Sequence, residues 1–589
     1  MKSFDTWYVL DFETSDQNMY ACDIDRVCVG MFDIRTGRMI GKTDFNFRDR
    51  KLDRSLLKKA MQSPNPKVAH NAGFELHLLN RLGIDVNGTL HDTYMMAKHW
   101  RNDLPAYDLK SLSWWIFGDL YTPLIKLRKW IHEHNEQGED DIEFDMTRCP
   151  DKLVHNYCMH DIRMTAKLAA HFYPMVKDCY PYQLDIDLIP CVVDAETSGM
   201  MADREFYEEF VKDGNAYVEK RMKIATKELG LEGTGKKPTG NALRDHLKKR
   251  GERRKTKSGM TKADTVVFRD HMDSNAVKAV SELKSKQKEV NTYAVNILKA
   301  IDERGIFHPN LHQSAASTRR FISSQLYSDT GIITKGQVQN FPRGQGIRTG
   351  IVVPEGFAFQ KYDLASIEAR LGASLMSELL GETWFLEQYC KDDSFNIYIH
   401  VGSDCEGSAL SKKEDIYQAY KHGVLGIQYG VGDETFYVTL HDKFGLPYTL
   451  DDCIAIRKKI HKNYPMFGDL QTAAKQVVET QGYIMDNFGD VYYTPLHRIY
   501  KAVNDYCQGC AGNVLKWWWT EWCKTDEYKD SVDYIFNTVH DELDCAMWMD
   551  KHVEQRTKAY CDVLKGLDIF GLPILAEVSD YVPNWGLAD

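Results

Sequence analysis

In the first 175 residues, apolar and polar positions run as short strand-like stretches, WYVLDF and VCVGMFDI, and then recur every three to four residues in FELHLLNRLGI, as on a helix. This rhythm predicts an α/β domain with a mixed sheet that ends near Pro174 to Pro181. From about 200 to 300 the pattern becomes one of long polar helices, interrupted at 230–240 by GLEGTGKKPTG. A strand, GFAFQKYD, follows position 350 and leads into a mostly helical stretch to about 480. Strands then return around NFGDVYYTP and DYIFNTVHDELDCAMWM.

The 589 residues carry 85 acidic and 74 basic side chains, a formal charge of −11, with 43% hydrophobic and 27% charged positions. That is the composition of a soluble globular protein and excludes a disordered, collagen-like or disulfide-stapled chain. No apolar run approaches the length of a membrane span, and Asp5, Asp11 and Glu13 interrupt the start where a secretory signal needs apolar residues, so a cytosolic protein with no membrane partner is expected. The 14 cysteines are scattered, and Cys507 and Cys510 lack the second pair that a zinc site needs, which predicts free thiols. Charge is uneven: residues 236–288 hold 16 Lys and Arg against 6 Asp and Glu, a local +10 suited to a polyanion or to a solvated helical face. Gly230 to Lys236 has phosphate-loop spacing, but Lys237 stands where that loop needs Ser or Thr.

Two sets of carboxylates carry candidate chemistry. Asp11 and Glu13 lie two apart on a predicted strand, so both leave one face and can share divalent metal. HNAGFE (70–75), HDT (91–93) and Tyr157-Cys-Met-His-Asp161 follow, the last placing Tyr157 and Asp161 on one helix face. Such a group suits two-metal phosphodiester hydrolysis, although surface acids and a core tyrosine have the same spacing. In the second set, Asp363 ends a predicted strand, Glu368 and Arg370 open a helix, and His540-Asp541-Glu542 joins two strands, with the acids expected to be exposed. Lys421, Leu425 and Tyr429 recur every four residues along another helix, where a cation can meet a triphosphate.

The N-terminal segments DxE (11–13), HNxxF (70–74) and YxxxD (157–161) resemble the tyrosine-bearing DEDD 3′→5′ exonucleases. DLASIEAR, KxxxLGxxYG and VHDE, in that order, resemble motifs A, B and C of family A DNA polymerases, and ETSGMMAD, STRRFISS, VQNFP and QGCAGN support the match. The resemblance covers nearly the whole chain. It implies an RNase H-like α/β exonuclease domain at 1–180. An α+β right-hand polymerase would follow at 181–589, with thumb about 200–300, palm about 301–372 and 495–589, and fingers about 373–494. It also implies a DNA-templated DNA polymerase with proofreading, of the phage type because no 5′ nuclease domain precedes the exonuclease. Such an enzyme would work as a monomer on primer-template DNA and dNTPs in the host cytoplasm, with replisome helicase and primase as further partners.

By the same resemblance, Asp363, Asp541 and the Leu364 carbonyl would hold two Mg²⁺ ions, which Mn²⁺ can replace, with Glu542 nearby. Lys421 would contact the triphosphate, Glu368 would exclude a ribose 2′-hydroxyl, Tyr429 and Leu425 would flank the nucleotide, and Arg320, Gln508 and His540 would touch the primer-template. Asp11, Glu13, Glu75 and Asp161 would hold two further ions, with Tyr157 orienting the attacking water. Three positions depart from the pattern. Glu75 replaces an Asp, Tyr417 replaces a phosphate-binding Arg for which Lys412, Lys413 or His422 are candidate substitutes, and Leu425 replaces an aromatic. They motivate the alternative of an exonuclease with a weakened or silent polymerase module. Single-subunit RNA polymerases share the Asp, Lys and His-Asp pattern, but Glu368 and the exonuclease motifs argue for DNA synthesis. A catalytically silent DNA-binding factor of the same fold is the remaining reading.

Overall fold

Strand β1 (Thr6–Thr14) is largely buried along its length because both of its faces are covered, and it forms the centre of a five-stranded sheet. The computed structural model describes residues 5–49, 52–134, 145–256, 259–569 and 571–588. β1 pairs antiparallel with β2 (Ile24–Asp33), which pairs antiparallel with β3 (Arg38–Asn46). On its other edge β1 pairs parallel with β4 (Lys67–Ala69), which pairs parallel with β5 (Leu90–Asp92), so the sheet is mixed. Helix Asp151–Val176 packs on β1 and β2. Gly30 on β2 admits it, since a Cβ there would lie 3.3 Å from Ile162 Cδ1 and 2.0 Å from Met39 Cε. Pro174 falls inside this helix, and the chain breaks only before the next one, Tyr180–Ser198.

Gly199 ends that second helix at φ 69° and ψ −179°, where a Cβ would lie 2.9 Å from the Phe307 carbonyl, so the SGM turn requires glycine. The chain then enters β6 (Met200–Ala202) of a second, antiparallel sheet with β7 (Ile306–His312), β8 (Ile322–Tyr327), β9 (Ile333–Lys335) and β10 (Ile351–Val352), in the order β10-β6-β7-β8-β9. Between β6 and β7, helix Arg204–Glu228 packs against helix Asn275–Lys288. The intervening segment presents Lys236, Lys237, Lys248, Lys249 and Arg253 to solvent. A third sheet begins with β11 (Phe357–Leu364). A helical stretch and the hairpin of β12 (Tyr483–Met485) and β13 (Val491–Tyr493) follow, and β14 (Tyr534–Val539), β15 (Glu542–Trp548) and β16 (Ala576–Val578) complete the sheet in the order β14-β15-β11-β16. Helix Ala502–Trp522 contributes Trp518, Trp519 and Trp522 to the largest core, which also takes in β11 and β15.

The first sheet and the remainder are joined through a buried polar network. Asp185 accepts from His99 Nε2 (2.7 Å), Lys516 Nζ (2.7 Å), Ser314 Oγ (2.6 Å) and Gln313 Nε2 (2.8 Å). Asp490 pairs with Arg319 (2.6 Å) and with the other nitrogen of His99 (3.3 Å). Burial disfavours the charged imidazole of His99, but Asp490 and Asp185 outweigh it and hold the ring protonated, with its pKa raised to about 10. A buried ion cluster with this many partners fixes geometry because losing one member strands the others in low dielectric.

All fourteen cysteines are free, and Cys507 and Cys510 lie buried on one helix. Among the described residues no helix is long and apolar enough to cross a membrane.

Candidate active sites

In the third sheet, β11 and β15 pair in a register that sets Asp363 directly opposite Glu542, and the backbone N–H of Leu364 donates to the Asp541 carbonyl at 3.1 Å. Asp363 and Asp541, 178 positions apart in the chain, therefore meet at one end of the sheet, each half-buried. The turn between β14 and β15 is made by His540, exposed and held at φ 59°, in the left-handed region where most side chains are strained. Burial, followed by the charges of Asp541 and Glu542, raises the Asp363 pKa to about 7, and burial also raises Asp541. Glu542 departs from the expected exposure: it is 1% exposed, because β15 is covered on both faces and strict alternation fails there. Burial, followed by the charge of Asp544, raises its pKa to about 8. Its Oε1 accepts no hydrogen bond among the described residues, and Arg348 and Lys361 stand 3.9 Å from its two oxygens.

Glu368 lies in the first turn of helix Ile367–Leu380, which Ser366 opens at φ 50°. The Tyr429 hydroxyl donates to one of its oxygens (2.7 Å) and Arg320 to the other (3.3 Å), so three residues predicted from separate motifs converge. Gly512, on the helix that carries Gln508, allows this approach, since a Cβ there would lie 3.3 Å from Arg320 Cγ. Lys421 and Leu425 lie on helix Asp415–Gln428 and Tyr429 caps it; Leu425 and Tyr429 pack against the core, while Lys421 is half-buried. Tyr417 is buried on the same helix, its hydroxyl accepting from Asn396 (3.4 Å). Lys412 reaches Glu577 (3.4 Å), the β16 residue paired with Asp363, whereas the His422 ring packs on Phe444 (4.5 Å).

The second carboxylate group lies between the first sheet and helix Asp151–Val176. Asp11 and Glu13 leave the same face of β1, and Cys158 on that helix donates its thiol to the Asp11 carbonyl (3.4 Å). Tyr157 and Asp161, one helical turn apart, are both buried. Burial and the charge of Asp161 raise Asp11 to about 8, burial and Asp11 push Glu13 well up, and burial and Asp11 do the same to Glu75. Asp11 thus neighbours each of the other three acids electrostatically, Glu75 included. Asp92 of the HDT segment is no ligand candidate: its carboxylate accepts from the N–H groups of Asn71 and Ala72 (both 3.0 Å) and seats the HNAGFE turn. Lys110, absent from the sequence reading, donates to Asp161 Oδ2 at 3.0 Å, and its ammonium lies 5.1 Å from the Tyr157 ring centre. Burial disfavours its charge, but Asp161, Asp11 and Glu13 outweigh that and raise its pKa.

The profile of DNA polymerase family A matches residues 203–586. The chain belongs to that family. DNA polymerase DpoZ of Salmonella phage PMBT28 is 21% identical over 571 residues, covering 88% of each chain. DNA polymerase I of Chloroflexus aurantiacus is 23% identical over 88% of this chain and 54% of its own length, and the DNA polymerase of Escherichia phage T5 is 22% identical over 74% and 54%. Among solved structures, the POL domain of Pol1 from M. smegmatis, in complex with DNA primer-template and dNTP, shares the fold with a TM-score of 0.75 at 15% identity, over 100% of this chain and 96% of that one.

Within this DNA polymerase the three sequence departures leave both carboxylate groups intact. Tyr417 and Leu425 lie on a helix that contributes none of the acids, and Glu75 remains beside Asp11. Sequence reasoning missed Lys110, Arg348 and Lys361, cations that meet their acids only through tertiary structure. No spacing within the chain marks them.

Proposed function

We propose that this DNA polymerase extends a primer 3′ end with dNTPs at the Asp363–Asp541 centre and removes 3′-terminal nucleotides at the Asp11–Glu13–Glu75–Asp161 centre, in the replication of phage DNA within a bacterial host. The observation that carries the reading is the presence of two separate groups of carboxylates, one at the end of the third sheet and one under helix Asp151–Val176, each holding carboxylate oxygens that accept no hydrogen bond among the described residues: Glu542 Oε1 in one and Glu13 Oε1, Glu75 Oε2 and Asp161 Oδ1 in the other, where the Cys158 thiol also stands within reach of Asp11 and Glu13. Such donors suit Mg²⁺ or Mn²⁺, with two ions at each centre, and burial makes the like charges costly without a cation.

When bound, divalent ions supply charge neutralisation for in-line phosphoryl transfer. The rest is positioning by the chain. Tyr429 and Arg320 clamp Glu368 so that its carboxylate stands fixed beside the nucleotide, where a ribose 2′-hydroxyl would meet it. Lys421 offers a cation to the triphosphate, and Lys412, held through Glu577 near Asp363, stands in for the cation that Tyr417 does not supply. Gln508 and His540 would lie along the primer-template, and the Leu364 carbonyl is a further ion ligand. At the other centre Tyr157 orients the attacking water. We assign 1–180 to the exonuclease and 181–589 to the polymerase, with the exposed cations of 236–253 gripping duplex phosphates without reading sequence.

The test is to incubate the protein and Mg²⁺ with an end-labelled primer-template bearing a mismatched 3′ end, with and without dNTPs. Shortening without nucleotides, and trimming followed by full extension with them, is expected. Extension of the mismatch without trimming would remove the exonuclease from the reading, and trimming without extension would favour a silent polymerase module.

A further inference from the structure

Cys158, one position after Tyr157 on helix Asp151–Val176, donates its thiol to the Asp11 carbonyl of β1 at 3.4 Å. The carboxylates of Asp11 and Glu13 leave the same face of that strand, and the Cys158 sulfur and one oxygen of each acid all lie within 4.8 Å of one another. Glu13 is 6% exposed and its Oε1 accepts no hydrogen bond among the described residues, while Cys158 is fully buried. A buried acceptor without a donor is unfavourable unless a positive group reaches it. Asp11 is only half-buried, so the group opens to solvent on that side.

The donor set decides which cation fits. Carboxylate oxygens alone suit hard ions such as Mg²⁺, whereas a thiolate is a soft donor that Mg²⁺ does not use and that Zn²⁺ and Cd²⁺ do. Cys28 lies opposite Asp11 on β2 and within hydrogen-bond reach of Cys158, but its own thiol turns to Asp44 (3.7 Å). A second group with the same span, His99, Cys179 and Asp490, has its donors already engaged. Asp185 and Asp490 take the two nitrogens of His99 (2.7 and 3.3 Å), and Arg319 pairs with Asp490 (2.6 Å). Of the two groups only the first keeps a carboxylate oxygen without a donor.

We propose that Asp11, Glu13 and Cys158 form a mixed oxygen–sulfur site for a thiophilic divalent cation, of which Zn²⁺ is the type and Cd²⁺ the spectroscopic probe. Three protein ligands leave a fourth position for water. On binding, a metal–sulfur bond replaces the S–H bond, the proton leaves to solvent, and no electron is transferred. The site shares Asp11 and Glu13 with the Mg²⁺ ligands proposed above and differs from them by the thiol, so a thiophilic ion seated there excludes Mg²⁺ and stops trimming. Binding stands apart from the exonuclease reading; the effect on trimming rests on it.

The test titrates Cd²⁺ into the reduced, metal-free protein and follows thiolate-to-cadmium charge-transfer absorption in the ultraviolet, for wild type, Cys158→Ser, Cys158→Ala, Glu13→Gln and Cys28→Ala. Difference spectra against Cys158→Ser remove the contribution of the remaining cysteines. One equivalent of bound Cd²⁺ is expected in wild type and Cys28→Ala and in neither Cys158 variant. Glu13→Gln keeps the thiol but should bind that equivalent at least about tenfold more weakly, since loss of even an outer-shell partner costs this much. In parallel, Cd²⁺ is added to Mg²⁺-driven trimming of an oligothymidylate, each variant measured against its own rate without Cd²⁺. Half-inhibition should require at least about tenfold more Cd²⁺ in Cys158→Ser than in wild type. Absorption equal in wild type and both Cys158 variants, unchanged Cd²⁺ affinity in Glu13→Gln, loss of the band in Cys28→Ala, or equal inhibition in wild type and Cys158→Ser would each overturn the proposal. Should the Cys158 variants not fold, Glu13→Gln decides, because a thiol acting without the acids would bind Cd²⁺ unchanged. If the wild type trims nothing with Mg²⁺, the exonuclease reading fails by itself, and the absorption difference still decides the site.

Discussion

The two carboxylate centres share their donor chemistry and differ in how their charge is balanced. At the β11–β15 end, Asp363 and Asp541 are half-open to solvent, and Arg348 and Lys361 stand 3.9 Å from the oxygens of the neighbouring Glu542. Under helix Asp151–Val176, Glu13, Glu75 and Asp161 are sealed in, and a lysine is bonded directly to one of them. On the function proposed above, the first arrangement would leave its carboxylates available to an ion arriving with a nucleotide. In the second, Lys110 holds Asp161 Oδ2, and Oδ1 is the oxygen that accepts no hydrogen bond among the described residues. The lesson is that one set of residue types supports two electrostatic regimes, an open group in which like charges face one another and a closed group with a resident cation.

The comparison breaks most sharply on deletion of single acids. Asp363→Ala is expected to lower primer extension by about a thousandfold or more, several kcal/mol of transition-state stabilisation, while leaving trimming intact in a gel assay of both products. Asp185→Ala tests whether the two centres share a frame. Stranding His99 and Lys516 should destabilise the protein by about 3–5 kcal/mol, read as a lower denaturant midpoint and a loss of both activities at temperatures where wild type is stable.

The protonation of the acids sharpens it further. Folded-state pKa values near 8 for Asp11, 7 for Asp363 and 8 for Glu542 lie above those of an unfolded chain, so the folded state holds more protons between about pH 4 and 8. Stability in EDTA therefore falls as pH rises through that window. Thermal melts should show a lower Tm at pH 8 than at pH 5.5, with Mg²⁺ or Ca²⁺ restoring it at pH 8 and doing little at pH 5.5. The smallest effect belongs to Tyr429→Phe, which removes one hydrogen bond to Glu368. A loss of about 0.5–1.5 kcal/mol, at most about tenfold in discrimination against ribonucleotides, is expected from single-turnover incorporation, with trimming unaffected.

How far these features were legible in the chain depends on the range of the interaction. Asp11 and Glu13 were readable because a strand repeats every two residues, and Tyr157 with Asp161 because a helix brings every fourth residue to one face. The turn at His540 and Asp541 was readable from the apolar runs on either side. The burial of Glu542 was not, because alternation predicts exposure only where one face of a sheet is wet, and β15 is covered on both. Lys110, Arg348 and the Asp185–Asp490 network carry no periodic signature; their partners lie 51, 194 and up to 391 positions away.

The most direct test of two independent centres is one experiment on a mismatched primer-template with Mg²⁺ and dNTPs, run in parallel on wild type, Asp541→Ala and Asp161→Ala. The account predicts that Asp541→Ala shortens the primer and never lengthens it, and that Asp161→Ala leaves the mismatch untrimmed while still extending a matched primer at the wild-type rate. Loss of both activities in either variant would contradict it.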